Sequence, residues 1–240
     1  MMREDWNDRA KDNPLYWTYA TEGRERFTTV KPYFDAGEVE FKEMILPHLG
    51  GGRDIAVDFG CGVGRLTFPL ARHYDTVYGY DISPEMIKMA GKYTTKSRCP
   101  KGNVRFNVSS GGLQIGDSRA DLTLCIGVLQ HIPDPATRLG TLAELIMATK
   151  FDGKIIFNFN PHVEQAAHIK EQWARREKAQ DLMGWSESAG AELVDGRWKT
   201  WMAHADDPDT LYDWVEQQGA APYHYETFKG FHWVVATKIT

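Results

Sequence analysis

The sequence predicts an α/β fold: a doubly wound, mostly parallel sheet of seven strands with helices packed against it. Three observations predict it. Short apolar runs alternate with longer amphipathic segments between residues 54 and 159. A turn with glycine at alternate positions, Gly60, Gly62 and Gly64, joins the first apolar run to the segment after it. Two more apolar runs, joined by Lys229-Gly230, close the chain as a hairpin. Alternation of strand and helix implies parallel pairing with helices on both faces of the sheet. The crossovers that return to that sheet should be right-handed.

Residues 1–50 read as an N-terminal helical arm, placed before a main domain spanning 51–240. Trp6, Arg9 and Ala10 recur at helical spacing. Asn13-Pro14 should interrupt that helix, because the residue before proline avoids the α region. The aromatics Tyr16, Trp17, Tyr19, Tyr33 and Phe34 follow. Val39–Leu49 reads as a helix running into Gly50-Gly51-Gly52. Strands are expected near 54–59, 76–81, 103–108, 121–127 and 153–159, with helices near 63–73, 84–96 and 135–149. Pro69 falls inside the first of these helices and should bend it.

The simple alternation breaks after the fifth strand. A helical cap insertion is expected at about 161–205, with a charged helix over 161–182 and then Trp185, Trp198 and Trp201 among glycines and polar residues. Residues 208–218 read as a helix, N-capped by Asp206 or Asp207 and stopped by Gly219. Strands over 223–228 and 231–238 form the final hairpin. No internal repeat is visible.

The chemistry gathers at the glycine turn. Glycine lets the backbone turn sharply and approach a ligand closely, since it has no Cβ. Twenty-three residues beyond Asp58 comes Asp81, at the end of the second apolar run. A carboxylate there can accept hydrogen bonds from both hydroxyls of a ribose. The unit is one that holds a nucleoside. Its spacing, Asp-x-Gly-x-Gly-x-Gly-Arg over Asp58 to Arg65, differs from the G-x-G-x-x-G of dinucleotide sites.

Together, this motif, the segment Asp81-Ile82-Ser83-Pro84-Glu85-Met86 and the run from Ala120 to Asp134 resemble the class I S-adenosylmethionine (SAM)-dependent methyltransferases in three ordered stretches. The resemblance covers roughly residues 50 to 160. It implies a Rossmann-like sheet, SAM as cofactor, and cofactor contacts from Asp58, Gly60, Gly62, Gly64, Asp81, Ile82, Met86, Gly112, Leu113 and Ile126. Asp58 would organise the methionine end of the cofactor, or else hydrogen-bond the glycine turn itself. Ile82 and Met86 would pack on the adenine, or else in the core. Many relatives carry an acid after the third strand, whereas this chain reads Ser109-Ser110-Gly111-Gly112-Leu113. Backbone groups near Gly112 and Leu113 are left to recognise the adenine.

His131, in the loop after strand four beside Gln130, is a candidate general base. A loop-fixing role for the ring is the other reading. Tyr16, Trp17, Tyr33, Asn160, His162 and Trp201 are candidate acceptor contacts, with Tyr19, Trp185 and His204 behind them. Those aromatics equally suit docking of the arm on the core. The resemblance implies transfer of a methyl group to O, N or C of a small metabolite. An RNA or protein acceptor, or a non-catalytic SAM-binding protein, is the alternative.

Composition narrows the partners. The formal net charge is −5, which disfavours a broad nucleic-acid surface. No apolar run reaches the roughly 18 residues of a membrane span, and residues 1–6 lack the apolar stretch of a signal peptide. A cytoplasmic location and no membrane partner are the expectation. Cys61, Cys99 and Cys125 have no metal-like spacing, so no metal is expected. They read as small buried residues.

Overall fold

The computed structural model describes residues 2–19, 29–109, 113, 115–132, 134–161, 191–194, 197–200, 205–206, 208–228 and 231–239. The strands are β1 (Ile55–Phe59), β2 (Thr76–Asp81), β3 (Val104–Val108), β4 (Ala120–Cys125), β5 (Thr149–Pro161), β6 (Ala191–Val194), β7 (Arg197–Thr200), β8 (Ala205–Asp206), β9 (Ala220–Phe228) and β10 (Phe231–Lys238). Seven of them form the main sheet, in the order β3-β2-β1-β4-β5-β10-β9. The pairs from β3 across to β5 are parallel. β10 runs antiparallel to both β5 and β9. The two-residue β8 adds to the far end of β5, and β6 pairs with β7 as a separate hairpin.

The helices are α1 (Met2–Asp12), α2 (Pro14–Trp17), α3 (Val30–Glu40), α4 (Thr67–Leu70), α5 (Pro84–Tyr93), α6 (Pro135–Ala148) and α7 (Pro208–Gln217). Several begin where their sequence says they should. Asn13, Ser83 and Asp134 each adopt an extended backbone, accept a hydrogen bond from an amide three residues on, and precede a proline at the first helical position. That pairing suits a helix start, since the missing proline N–H has no helical partner there anyway.

Three elements differ from expectation. The helix expected over 63–73 is cut to α4. Gly62 and Gly64 sit at φ +52 and +92, a left-handed geometry that cannot belong to a right-handed helix. Pro69, the third residue of α4, then removes a backbone donor. The single helix expected over 39–49 is instead the end of α3, a wide π-type turn at Phe41–Ile45 and a 3₁₀ turn at Leu46–His48. Pro47 blocks continuation of the α ladder there. Strand β4 stops at Cys125, two residues early, because Gly127 turns away at φ +73.

The helix expected over 161–182 falls outside the described residues, apart from Pro161, which ends β5. The parts of the expected cap that are described, 191–194 and 197–200, are strands.

Strand β4 is buried at every position, as expected of a parallel strand covered on both faces. The arm shares the main core: Tyr33, Phe34, Phe41 and Ile45 pack in one apolar cluster with Val63, Leu66, Phe68 and Leu70. The three cysteines are buried free thiols. Among the described residues, no helix is long and apolar enough to cross a membrane, and no group of three or more His, Cys, Asp or Glu could hold a metal ion.

Candidate functional site

The sheet order reverses between β1 and β4, since β2 lies on one side of β1 and β4 on the other. At such a switch point the loops leave in opposite directions and open a crevice beyond the carboxyl ends of the strands. A cavity of ≈ 550 Å³ sits there, within the range of small-molecule sites.

Its floor is the glycine turn. Gly60 N and Cys61 N donate to Tyr80 O at 2.7 and 2.9 Å, which ties the turn to β2. Gly60 has φ +73, and a Cβ there would lie 2.2 Å from Val128 Cγ2. Only glycine fits such a position. A Cβ on Gly62 would lie 2.9 Å from Thr18 Cγ2, so the arm packs directly on the turn.

Asp81 closes β2 and is 9 % exposed. Its Oδ2 accepts from Gly62 N at 2.9 Å and its Oδ1 from Ser83 N at 2.8 Å. A carboxylate offers about four acceptor positions, so each oxygen keeps one for a ligand. Burial pushes its pKa up to about 6, against the two backbone hydrogen bonds that lower it. Asp58 lies beneath the turn, buried, with Oδ2 accepting from Thr67 Oγ1 at 2.5 Å. Its pKa is likewise pushed up to about 6 by burial, opposed by that hydroxyl and by Arg65. That bonding partner, Thr67, is the first residue of α4.

The far wall comes from β4, β5 and the loop after β4. Ile126, Gly127, Val128, Gln130 and His131 line the cavity. Asn158 Oδ1 accepts from Gly127 N at 2.7 Å and fixes that loop. His131 Nε2 lies 3.5 Å from Gln130 Nε2, and its ring meets the edge of Trp6 at 5.0 Å.

The roof is the arm. Met2, Arg3, Trp6, Trp17, Thr18, Tyr19, Tyr33 and Glu40 reach the cavity. Arg3 Nη2 donates to Ser109 O at 3.2 Å, and Asn7 Oδ1 accepts from Ser83 Oγ at 2.6 Å. These bonds set α1 across the ends of β2 and β3.

Of the expected site residues, Asp58, Gly60, Gly62, Asp81, Ile82, Ile126, His131, Trp17 and Tyr33 line the cavity. Met86, Gly64, Leu113 and Tyr16 are not part of its lining. Met86 is fully buried in the core against the sheet. A Cβ on Gly64 would meet Phe68 and Phe106, so this glycine serves close packing. Leu113 packs against core residues. Tyr16 stacks edge-on with Trp17. Gly112, His162 and Trp201 lie outside the described residues, as do Trp185 and His204. Only the backbone of Asn160 is described, paired with Ala205.

Sequence reasoning gave no role to Arg65, Glu40, Asn158 or Trp6. Asn158 left a signal, as a lone amide inside Ile155-Ile156-Phe157-Asn158-Phe159. The ion pair of Arg65 with Glu40 left none, because the arm must fold back before the two meet.

Residues 57–154 match the family model of a methyltransferase domain. A ubiquinone biosynthesis O-methyltransferase of Coxiella burnetii is 27% identical over 155 residues, covering 58% of this chain and 64% of that protein. The enzyme of the same description from Serratia proteamaculans is 32% identical over 115 residues, 48% of this chain and 46% of its own length. The chain thus spans less than two thirds of the length of these relatives. Among solved structures, magnesium protoporphyrin IX methyltransferase from Synechocystis PCC 6803, with bound SAH, superposes with a TM-score of 0.65. It is 16% identical, with 98% of this chain and 97% of that chain covered. That likeness is one of fold.

Proposed function

We propose that this chain, whose residues 57–154 match the methyltransferase-domain model, is a class I SAM-dependent methyltransferase that transfers a methyl group from SAM to O, N or C of a small molecule. One observation carries the reading: the glycine turn and the Asp81 carboxylate converge on a single cavity at the switch point of the sheet. The residues fit the cofactor. The glycine turn admits close approach, Asp81 keeps acceptor positions for ribose hydroxyls, and Ile82 and Ile126 give apolar walls. Bound SAM would supply an activated methyl on a sulfonium.

The chain's own residues supply alignment and shelter. Orientation alone can lower a barrier by several kcal/mol. Asp81 fixes the ribose, and Asn158 holds Gly127 and so the loop that carries His131. The rings of Trp6, Trp17 and Tyr19 exclude water from the roof. His131 stands in the cavity wall, where it could take a proton from a hydroxyl acceptor. Of the expected cofactor contacts, Asp58, Gly60, Gly62, Asp81, Ile82 and Ile126 keep direct places in this reading. Met86 and Gly64 act by supporting the walls.

The relatives' role in ubiquinone biosynthesis puts oxygen acceptors first in a screen. The net charge of −5 supports a small molecule over nucleic acid. We further propose that the protein works in the cytoplasm.

The test is a calorimetric titration with SAM, S-adenosylhomocysteine (SAH) and NAD. Micromolar binding of the first two and none of NAD is expected. Asp81→Ala should weaken SAM binding at least tenfold, about 1.4 kcal/mol, with an unchanged circular dichroism spectrum. Equal affinity in the variant would overturn the ribose assignment, and absence of SAM binding to the native protein would overturn the function.

A further inference from the structure

We propose that Asn158 and Gln130, two buried amides that border Gly127, hold the hydroxyl of the methyl acceptor between a hydrogen-bond donor and a hydrogen-bond acceptor, and so select a hydroxyl over an amine or an ether. The inference rests on the methyltransferase reading above and adds two specificity residues to it.

Asn158 lies in β5 and is 3% exposed. Its Oδ1 accepts from Gly127 N at 2.7 Å. That bond fixes the amide, with its oxygen toward the loop and its nitrogen turned away. Among the described residues nothing accepts from Asn158 Nδ2. Gln130 is 1% exposed, and among the described residues its buried Oε1 has no hydrogen-bond partner. A Cβ built on Gly127 would lie 3.8 Å from Gln130 Nε2, so both amides border that one glycine. Both side chains line the cavity. Asn158 thus offers a donor and Gln130 an acceptor, and buried polar groups left unpaired are costly.

Sheet position says which ligand the two amides meet. In the order β2-β1-β4-β5, Asn158 stands three strand spacings from Asp81, roughly 14 Å at about 4.8 Å each. A nucleoside held at Asp81 covers the ends of β2 and β1 and leaves the β5 end to the second substrate. Trp233 is paired with Asn158 across β10 and β5. With Phe231 it gives that end of the cavity an apolar wall for the carbon skeleton. A hydroxyl answers both amides at once: its oxygen accepts from Asn158 Nδ2, and its hydrogen is donated to Gln130 Oε1. An ammonium has hydrogens but no lone pair, so it meets the Asn158 N–H groups unfavourably. An ether oxygen has lone pairs but no hydrogen, so it leaves Gln130 Oε1 unpaired. A site built to hydrogen-bond a hydroxyl rejects analogues that lack one of those bonds.

The experiment uses the full chain saturated with SAH and three probes that share one ring: benzyl alcohol, benzylamine, which is an ammonium at neutral pH, and benzyl methyl ether. Affinities are read by nitrogen-15 NMR titration. Benzyl alcohol should bind at least about fivefold more tightly than either of the others, and it alone should shift the side-chain amide signal of Asn158. Gln130→Met should remove the alcohol's advantage over the ether. Asn158→Leu should remove its advantage over the amine. The Gln130 variant keeps the bond between Asn158 and Gly127, so it decides the matter if Asn158→Leu does not fold. Equal affinities of the three probes for the native complex would overturn the proposal. So would equal losses for all three in the variants, which would make the amides merely structural. Binding of no probe to a chain that has taken up SAH would overturn it as well. Failure to bind SAH would instead overturn the cofactor reading on which the proposal stands.

Discussion

Asp58 and Asp81 set the pH behaviour of the site. In both, burial holds the pKa at about 6, above the ordinary 3.8. The folded protein therefore binds more protons than the unfolded chain between about pH 4 and 6. Stability of the ligand-free protein falls as pH rises through that window, by at most about 3 kcal/mol for each group. Asp58→Asn is expected to raise Tm at pH 7.5 and to flatten the slope between pH 4 and 6, measured by thermal melts. An unchanged slope would mean that Asp58 ionises as freely in the fold as out of it. Ribose hydroxyls prefer an ionised acceptor, so SAH affinity should drop several-fold between pH 7 and pH 5, read by calorimetry. At Gly60, alanine would need φ +73 and would collide with Val128. Gly60→Ala should cost roughly 1–3 kcal/mol of stability in a urea titration and abolish SAH binding. The glycines and Asp81 were legible in the sequence because their spacing is local to one strand–turn–strand unit. For Met86 the sequence left two readings, adenine or core, since its neighbour in space follows from how α5 rotates against the sheet.

Helix α1 is the element most open to manipulation. Ala10 is its one buried residue, and polar ties through Arg3 and Asn7 join it to the strand ends. An element held this way can open without unfolding the core. Trp6→Ala removes the ring against His131 and the cation–π partner of Arg9, 4.7 Å from the ring centroid. It should weaken SAH binding several-fold and speed tryptic cleavage at Arg9 or Lys11, while the denaturant midpoint moves little. A large loss of midpoint would show that α1 belongs to the cooperative core. The sequence marked this helix by its period and by Asn13-Pro14. It did not mark its docking, which depends on contacts with residues more than seventy positions away, such as Ser83 and Ser109.

At the scale of the whole molecule, the expected division into an arm (1–50) and a main domain (51–240) meets a shared core. Tyr33, Phe41 and Ile45 are at most 1% exposed and pack with residues of the β1–β2 layer. We propose that the arm beyond α2 folds as part of the main domain. A chain lacking residues 1–50 should express as insoluble or molten protein, with no cooperative thermal transition by calorimetry. A sharp transition from that fragment would restore the two-part division. Ligand linkage gives a further check on the intact protein: SAH at a hundred times its Kd should add about 2.7 kcal/mol of stability, seen as a rise in Tm of several degrees.

The sequence by itself determined the seven strands of the main sheet, its parallel run and the final hairpin, and it located the glycine turn with its acid. Each of these is written in short-range patterns: apolar runs, turn residues and caps. Only the tertiary structure decided the rest of the cavity. Arg65 meets Glu40, Trp6 meets His131, and Asn158 secures Gly127 because the arm and two non-adjacent strands converge at the switch point. Those partners are far apart along the chain, and no local periodicity encodes a contact made by folding back.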